Sequence, residues 1–278
     1  MTDKLQLLLY NDGSDVSNQA MALGKHIAQA AAHAVDILLI AATGDQERVS
    51  SQQIEETAGE LRASGISVTV YQRAGFTGRR LLEQTEAKDY DLIVVGSRGR
   101  RGLTRLLAGS RACAILGSAT TSVLVVKGRD LRQISNILIC TAAGPASAKT
   151  VRFAAQLAHA LEASVTLLHV MSQVALEHKA QGSDLEAEAE QLMERQAREG
   201  RHLEDMLRVL HEESVEAQAL VRHGLVVDEI LAEAKDGDFD MIVTGAHTTP
   251  DLPGLLSSDL SQQIMLAANR PILIVHQA

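Results

Sequence analysis

The chain has no Trp and only three Phe and three Tyr, so aromatic residues make up 2% of its 278 positions. Single-stranded nucleic acid is usually held by stacking bases on aromatic rings, and this composition cannot supply such a platform. The interior must instead be aliphatic, as in parallel sheets whose central strands are rich in Val, Ile and Leu. There are two cysteines, Cys113 and Cys140. Cys113 falls on an Ala/Leu helix face and Cys140 in an apolar strand, so both read as buried reduced thiols rather than redox or metal ligands. No run approaches the roughly 18 consecutive apolar residues that a membrane span needs. The first residues, MTDKLQLLLYND, carry too short an apolar stretch for a secretion signal. The expectation is a soluble cytoplasmic protein with no membrane partner. Basic residues are outnumbered, 26 Lys and Arg against 35 Asp and Glu, for a net charge of −9. That balance argues against nucleic acid as a general partner.

What the chain does have is aliphatic residue in quantity: 46% of positions are hydrophobic, ample for one or two packed domains. It also repeats itself once. An apolar strand at 7–10 has its counterpart at 137–140, and each leads through small residues into an amphipathic helix, about 14–32 and 146–161. Strands at 35–40 and 165–170 follow. These early matches share an offset of 130 residues. Towards the end of each half, DLIVVG at 91–96 matches DMIVTG at 240–245, and SVLVV at 122–126 matches PILIV at 271–275. There the offset is 149, so the second half holds an insertion of 19 residues. The charged stretch 184–210 predicts a long helix in that insertion, with its apolar stripe interrupted near Gln196 and Glu199.

The remaining elements of the first half are a helix over 50–64, a strand over 67–72 and a helix over 77–87. In the second half, a strand over 216–222 and a helix over 225–235 follow. Each half reads β-α-β-α-β-α-β-loop-α-β, which predicts right-handed crossovers and a parallel sheet covered by helices on both faces. The fold class is therefore α/β, with two repeated doubly wound parallel-sheet domains, 1–130 and 134–278. A short polar linker at 127–133 joins them.

Within the first half, residues 91–126 carry the most chemistry. A buried-strand pattern runs into Gly96; two residues separate it from Gly99, and nine more separate Gly99 from Gly109 and Ser110, which open a helix. Gly96, lacking a Cβ, lets the strand end turn sharply and approach a ligand. Gly109 and Ser110 stand where backbone N–H groups have no intrahelical partner and the helix dipole favours an anion. Arg98, Arg100, Arg101 and Arg105 add positive charge to the same loop. Strand, glycine loop and helix N-terminus together predict a phosphate pocket at the carboxyl edge of a parallel sheet. There is no G-x-x-x-x-G-K-[ST], so this is not a P-loop.

These residues resemble the universal stress proteins in their tandem two-domain form, over essentially the whole chain. The resemblance rests on the family's nucleotide motif G-2x-G-9x-G-[ST], present as Gly96, Gly99, Gly109 and Ser110, and on the Asp at the end of the first strand, Asp12. It implies five strands per domain in the order 3-2-1-4-5, with a ligand at the switch point between strands 1 and 4. It further implies ATP, alone or with magnesium. Asp12 would lie near adenine and ribose, Ala41 would contact the base, Gly96 and Gly99 would face ribose and phosphate beside Arg98, and Gly109 and Ser110 would hold the phosphates. The fifth strands, 123–126 and 272–275, would pair antiparallel and join the two halves; further homodimerisation is left open.

The second half departs from this pattern. Asp12 corresponds to Ala142, Gly99 to Thr248, Gly109 to Ser258 and Ser110 to Asp259; only Gly96 keeps its counterpart, Gly245. A carboxylate at that helix start repels phosphate, so ATP is expected in the first domain alone. The second domain is either structural or holds another ligand, with His223 and His247 placed to line its pocket. His169 reads as a packed core residue, and no histidine cluster has metal-ligand spacing. Three functions stay in competition: a non-enzymatic stress-response regulator that binds ATP, a slow ATP-hydrolysing or adenylyl-transferring enzyme, and a small-molecule binding module with its ligand in the second domain.

Overall fold

The computed structural model describes residues 4–40, 45–74, 77–97, 121–128, 131, 133–142, 144, 147–171, 189–194, 197–246 and 259–276. The chain divides into two compact units, Met1–Gln133 with Asn269–His276, and Ile134–Ala268.

The first unit runs β1 (Leu5–Asn11), α1 (Asp15–Ala31), β2 (Ala32–Ile40), α2 (Asp45–Ala63), β3 (Ser67–Arg73), α3 (Thr77–Ala87), β4 (Leu92–Gly96) and β5 (Ser122–Val126). Its strands lie in the order β3-β2-β1-β4-β5, all neighbours parallel. The strand formed by Ile272–Val275 lies antiparallel to β5, with Leu273 opposite Leu124. Leu7, Leu8 and Leu9 are all buried, as a central strand covered on both faces requires. Helix α1 starts where the sequence predicts, because Ser14 caps it: its Oγ accepts the Ser17 N–H at 3.2 Å. The face of α1 against the sheet buries Ala20, Leu23, Gly24, Ile27 and Ala28, at helical spacing. Gly24 lets the helix come close: a Cβ there would sit 2.6 Å from a Leu9 methyl.

A buried carboxylate lies in this core. Asp36 in β2 is 2% exposed. It accepts from Lys88 Nζ at 2.8 Å and from the Tyr90 hydroxyl at 2.7 Å. Burial, together with the Asp36 carboxylate, raises the Tyr90 pKa well above the ordinary phenol value. The pair ties the end of α3 and the approach to β4 onto β2.

The second unit repeats the plan as β6 (Asn136–Thr141), α4 (Ser147–Leu161), β7 (Ser164–Met171), α5 (Ala189–Glu194), α6 (Arg198–Glu212), β8 (Ala217–His223), α7 (Val226–Asp236), β9 (Met241–Gly245) and α8 (Asp259–Ala267). The last strand of the chain is β10 (Ile272–Val275). Strands of the second unit lie in the order β9-β6-β7-β8, all parallel. A repeated contact marks the duplication. Asp91 Oδ2 accepts the Gln6 N–H at 2.7 Å, and its counterpart Asp240 accepts those of Ser135 and Asn136 at 2.8 and 3.0 Å. Each carboxylate fastens the start of the fourth strand of its repeat to the start of the first.

The expected long helix over 184–210 is corrected. Its described part is two helices, α5 and α6, broken at Ala197, whose ψ of 159° is extended. Gly200 then packs on α5 so closely that a Cβ would lie 2.1 Å from the Leu192 carbonyl oxygen. With the break at Ala197 and the close approach at Gly200, Leu192, Leu203, Met206 and Leu210 are all buried. Among the described residues, no helix is long and apolar enough to cross a membrane.

Candidate functional site in the first unit

The site is built at the carboxyl ends of β1 and β4, which are neighbours through Leu7 with Leu92 and Leu9 with Val94. Beyond β1 the chain follows β2 and β3 to one side of the sheet, while β4 leads to β5 on the other. The gap between β1 and β4 is thus the topological switch point, where open α/β sheets bind ligands. Asp12 stands just past the end of β1 and Gly96 at the end of β4.

The turn after β1 is held by its own side chains. Asn11 Oδ1 accepts the Gly13 N–H at 2.7 Å, and Asn11 Nδ2 donates to Asn18 Oδ1 at 3.0 Å. Gly13 has φ of 75°, the left-handed region that suits glycine. Asp12 Oδ1 accepts from the Ser14 N–H at 3.1 Å and the Ser14 hydroxyl at 2.6 Å. The Asp12 N–H in turn donates to Ser17 Oγ at 3.3 Å. Both bonds accepted by the carboxylate fall on Oδ1, so Oδ2 keeps its full acceptor capacity among the described residues. Asp12 is therefore oriented by the helix cap, with one oxygen left for a hydroxyl donor. The N-D-G-S sequence signals the turn; the parts played by Asn11, Ser14 and Ser17 were not singled out from sequence, because they depend on which hydroxyl faces which amide.

Gly96 is required by close packing. A Cβ on it would lie 2.8 Å from the Val16 carbonyl oxygen and 3.0 Å from the Ser17 N. The first turn of α1 thus abuts the end of β4. Just beyond it, the Ser97 N–H donates to the Val126 carbonyl at 2.8 Å, closing the strand end against β5. The structure places Asp12 just past the end of β1 and Gly96 at the end of the neighbouring β4. Ala41, Arg98, Gly99, Gly109 and Ser110, together with Cys113, lie outside the described residues.

The corresponding edge of the second unit has different chemistry. His169 is buried, with Nδ1 3.0 Å from the Thr141 carbonyl oxygen. Thr141 Oγ1 lies 2.8 Å from His202 Nε2 on α6, and the two imidazoles meet edge-on with centroids 6.1 Å apart. Burial lowers the pKa of both, and each is further affected by a neighbour: His223 opposes the charging of His169, and His169 that of His202. His169 is thus packed, as its strand position predicts, and it adjoins a partner, His202, that sequence gave no reason to pair with it. No group of three metal-binding side chains forms among the described residues. Cys140 is a free thiol, half-buried rather than buried as expected, and desolvation pushes its pKa up to about 12, which disfavours the thiolate. His247 lies outside the described residues.

A duplicated doubly wound α/β chain, with a glycine-ended fourth strand and an acidic residue past the end of the first, defines a class of tandem α/β domains. The family model described as "Universal stress protein family" matches the chain twice, over residues 7–127 and 133–276, and the chain belongs to that family as a tandem member. A universal stress protein of Methanocaldococcus jannaschii is 31% identical over 138 residues, 44% of this chain and 81% of its own length. One from Mycolicibacterium smegmatis is 32% identical over 139 residues, 45% of this chain and 47% of that protein. The crystal structure of a universal stress protein from Archaeoglobus fulgidus covers 99% of this chain and 97% of that one, with a TM-score of 0.68 at 16% identity. That last likeness concerns the fold.

Proposed function

We propose that the first unit binds an adenine nucleotide, ATP, alone or with magnesium, and that the chain is a non-enzymatic regulator whose occupancy alters its interactions under stress. The observation that carries the reading is the pairing of Asp12 with Gly96 across the β1/β4 switch point, in a chain whose loop sequence places Gly99, Gly109 and Ser110 at the family spacing. The described residues fit such a ligand. Gly96 presents bare backbone, and Asp12 offers an oriented acceptor oxygen to a ribose hydroxyl. In this reading Ala41 meets the base, Arg98 adds charge beside the phosphates, and Gly109 and Ser110 hold them.

Helix α1 is already capped by Ser14 and carries Asp15 in its first turn. Its N-terminus is therefore disfavoured for phosphate, which supports placing the phosphates on the 96–110 loop. The sequence places no general base beside this motif to activate water, and we read binding rather than turnover. The proposal includes joining of the two halves through their fifth strands, supported by the β5–β10 register, and further association of two chains. It also keeps the protein in the cytoplasm.

Calorimetric titration of ATP into the wild type and Gly109→Asp tests the site. Binding to the wild type and at least tenfold weaker binding to the variant are expected; equal affinities overturn the assignment. Steady ADP release at about 1 s⁻¹ or faster, an ordinary enzymatic rate, would favour the enzymatic reading instead.

A further inference from the structure

The two units treat the start of their first helix in opposite ways. Around the N-terminus of α1 stand two carboxylates, Asp12 and Asp15, and the capping hydroxyl of Ser14. At the repeat offset of 130 these positions are Ala142, Pro145 and Gly144. Both carboxylates and the capping hydroxyl are gone, and the first turn of α4 carries no acidic residue. Two other positions change in the opposite sense. Gln19 becomes Lys149, and the buried Ala20 becomes Thr150. The Ser147 hydroxyl donates to the Ala142 carbonyl and so ties the turn after β6.

Thr150 is the unusual residue. It is 3% exposed, and its Oγ1 has no hydrogen-bond partner. A buried hydroxyl left unpaired is destabilising, so its presence in a well-packed core calls for a reason. The hydroxyl lies at Gly245: a Cβ built on that glycine would come 2.8 Å from Thr150 Oγ1. Gly245 ends β9, the neighbour of β6, and β7 and β8 lie on the other side of β6. The orphan hydroxyl therefore stands at the switch point of the second unit, in the first turn of a helix that lacks the two carboxylates and the capping hydroxyl of α1.

We propose that the first turn of α4 is an oxyanion site, taking phosphate or the phosphate of a small phosphomonoester. First-turn N–H groups and the helix dipole attract the anion. Lys149 supplies a cation in the same turn, and the Thr150 hydroxyl donates the bond it lacks in the free protein. The site uses the first turn of α4, not the degenerate 245–259 loop. It stands independently of the nucleotide reading of the first unit.

The test is titration of the full-length chain with inorganic phosphate, glycerol phosphate and ATP in phosphate-free buffer, following backbone amide shifts of Ala148–Val151. Saturable shifts with inorganic phosphate or glycerol phosphate are expected, the tighter of the two identifying the free anion or the monoester as the source. Lys149→Gln and Thr150→Val should each weaken that binding at least fivefold while leaving ATP affinity unchanged. Thr150→Val should melt no lower than the wild type without phosphate, since it removes an unpaired hydroxyl at nearly constant volume, so its loss of binding would not reflect misfolding. No saturable shift in the wild type, or equal phosphate affinity in both variants, overturns the proposal. Loss of ATP binding by Gly109→Asp with phosphate shifts intact separates the two sites.

Discussion

Gly96 and Val16 approach so closely that the space for a side chain on Gly96 is occupied by the Val16 carbonyl, 2.8 Å from where a Cβ would be. The obstacle is backbone, which cannot rotate away. Gly96→Ala must therefore push α1 from the end of β4. The expected cost is about 1–3 kcal/mol, the usual range for overpacking, read as a lower denaturation midpoint. Because the displaced turn also carries the bonds that orient Asp12, ATP affinity should fall in the same variant.

Asp12→Ala separates the site from the fold. The substitution removes the acceptor for both Ser14 bonds but leaves Ser14 Oγ on the Ser17 N–H, so the cap survives. Stability should change by no more than about 1 kcal/mol. ATP affinity should fall at least tenfold in calorimetric titration, since the oriented acceptor is lost. Ser14→Ala should lose about 1 kcal/mol of stability as the cap is removed, and ATP affinity should fall with it, since the hydroxyl that helps orient Asp12 is gone.

Asp36 is structural. Asp36→Asn leaves the Lys88 ammonium and the Tyr90 hydroxyl facing an amide in place of a carboxylate. A loss of about 2 kcal/mol is expected in chemical denaturation, within the range for breaking a buried charge-assisted pair. Tyr90→Phe should cost about 1 kcal/mol by the loss of one of those bonds. Neither change should alter ATP binding.

Acid should weaken the second unit. His169 and His202 have pKa values lowered in the folded state, mainly by burial. Their unfolded values are near the ordinary imidazole value of about 6.5. Below that pH the unfolded chain takes up protons that the folded chain refuses, so stability is present above about 6.5 and declines as pH falls towards the folded values. His202→Gln removes one such group and relieves the other, so its melting temperature should fall less between pH 7 and pH 5 than that of the wild type. An identical fall in both proteins would contradict this.

Much of this was readable from the chain. Strand and helix positions followed the aliphatic runs: α1 begins near 14 as its apolar periodicity indicates, and the DLIVVG and DMIVTG segments became β4 and β9. Gly96 was legible as a glycine at a strand end, whereas Asp12 alone reads as a turn residue and was singled out only through the glycine motif and the family resemblance. The hairpin of α5 and α6 was not. A broken apolar stripe is compatible with either one imperfect helix or two good ones, and only the close packing of Gly200 on Leu192 selects the second. The meeting of His169 with His202 likewise joins residues 33 apart in sequence, through a helix whose path the insertion left open.

By itself the sequence determined the duplication, the α/β class and the difference between the two halves, because each is written in local periodicity and in residue-by-residue comparison of the repeats. Tertiary structure decided which side chains share a crevice. It turned Asp12 towards the helix cap, set Gly96 against Val16, and left the Thr150 hydroxyl unpaired against Gly245. Those relations depend on how helices seat on strands at distances of a few ångströms, and no pattern along the chain encodes that distance.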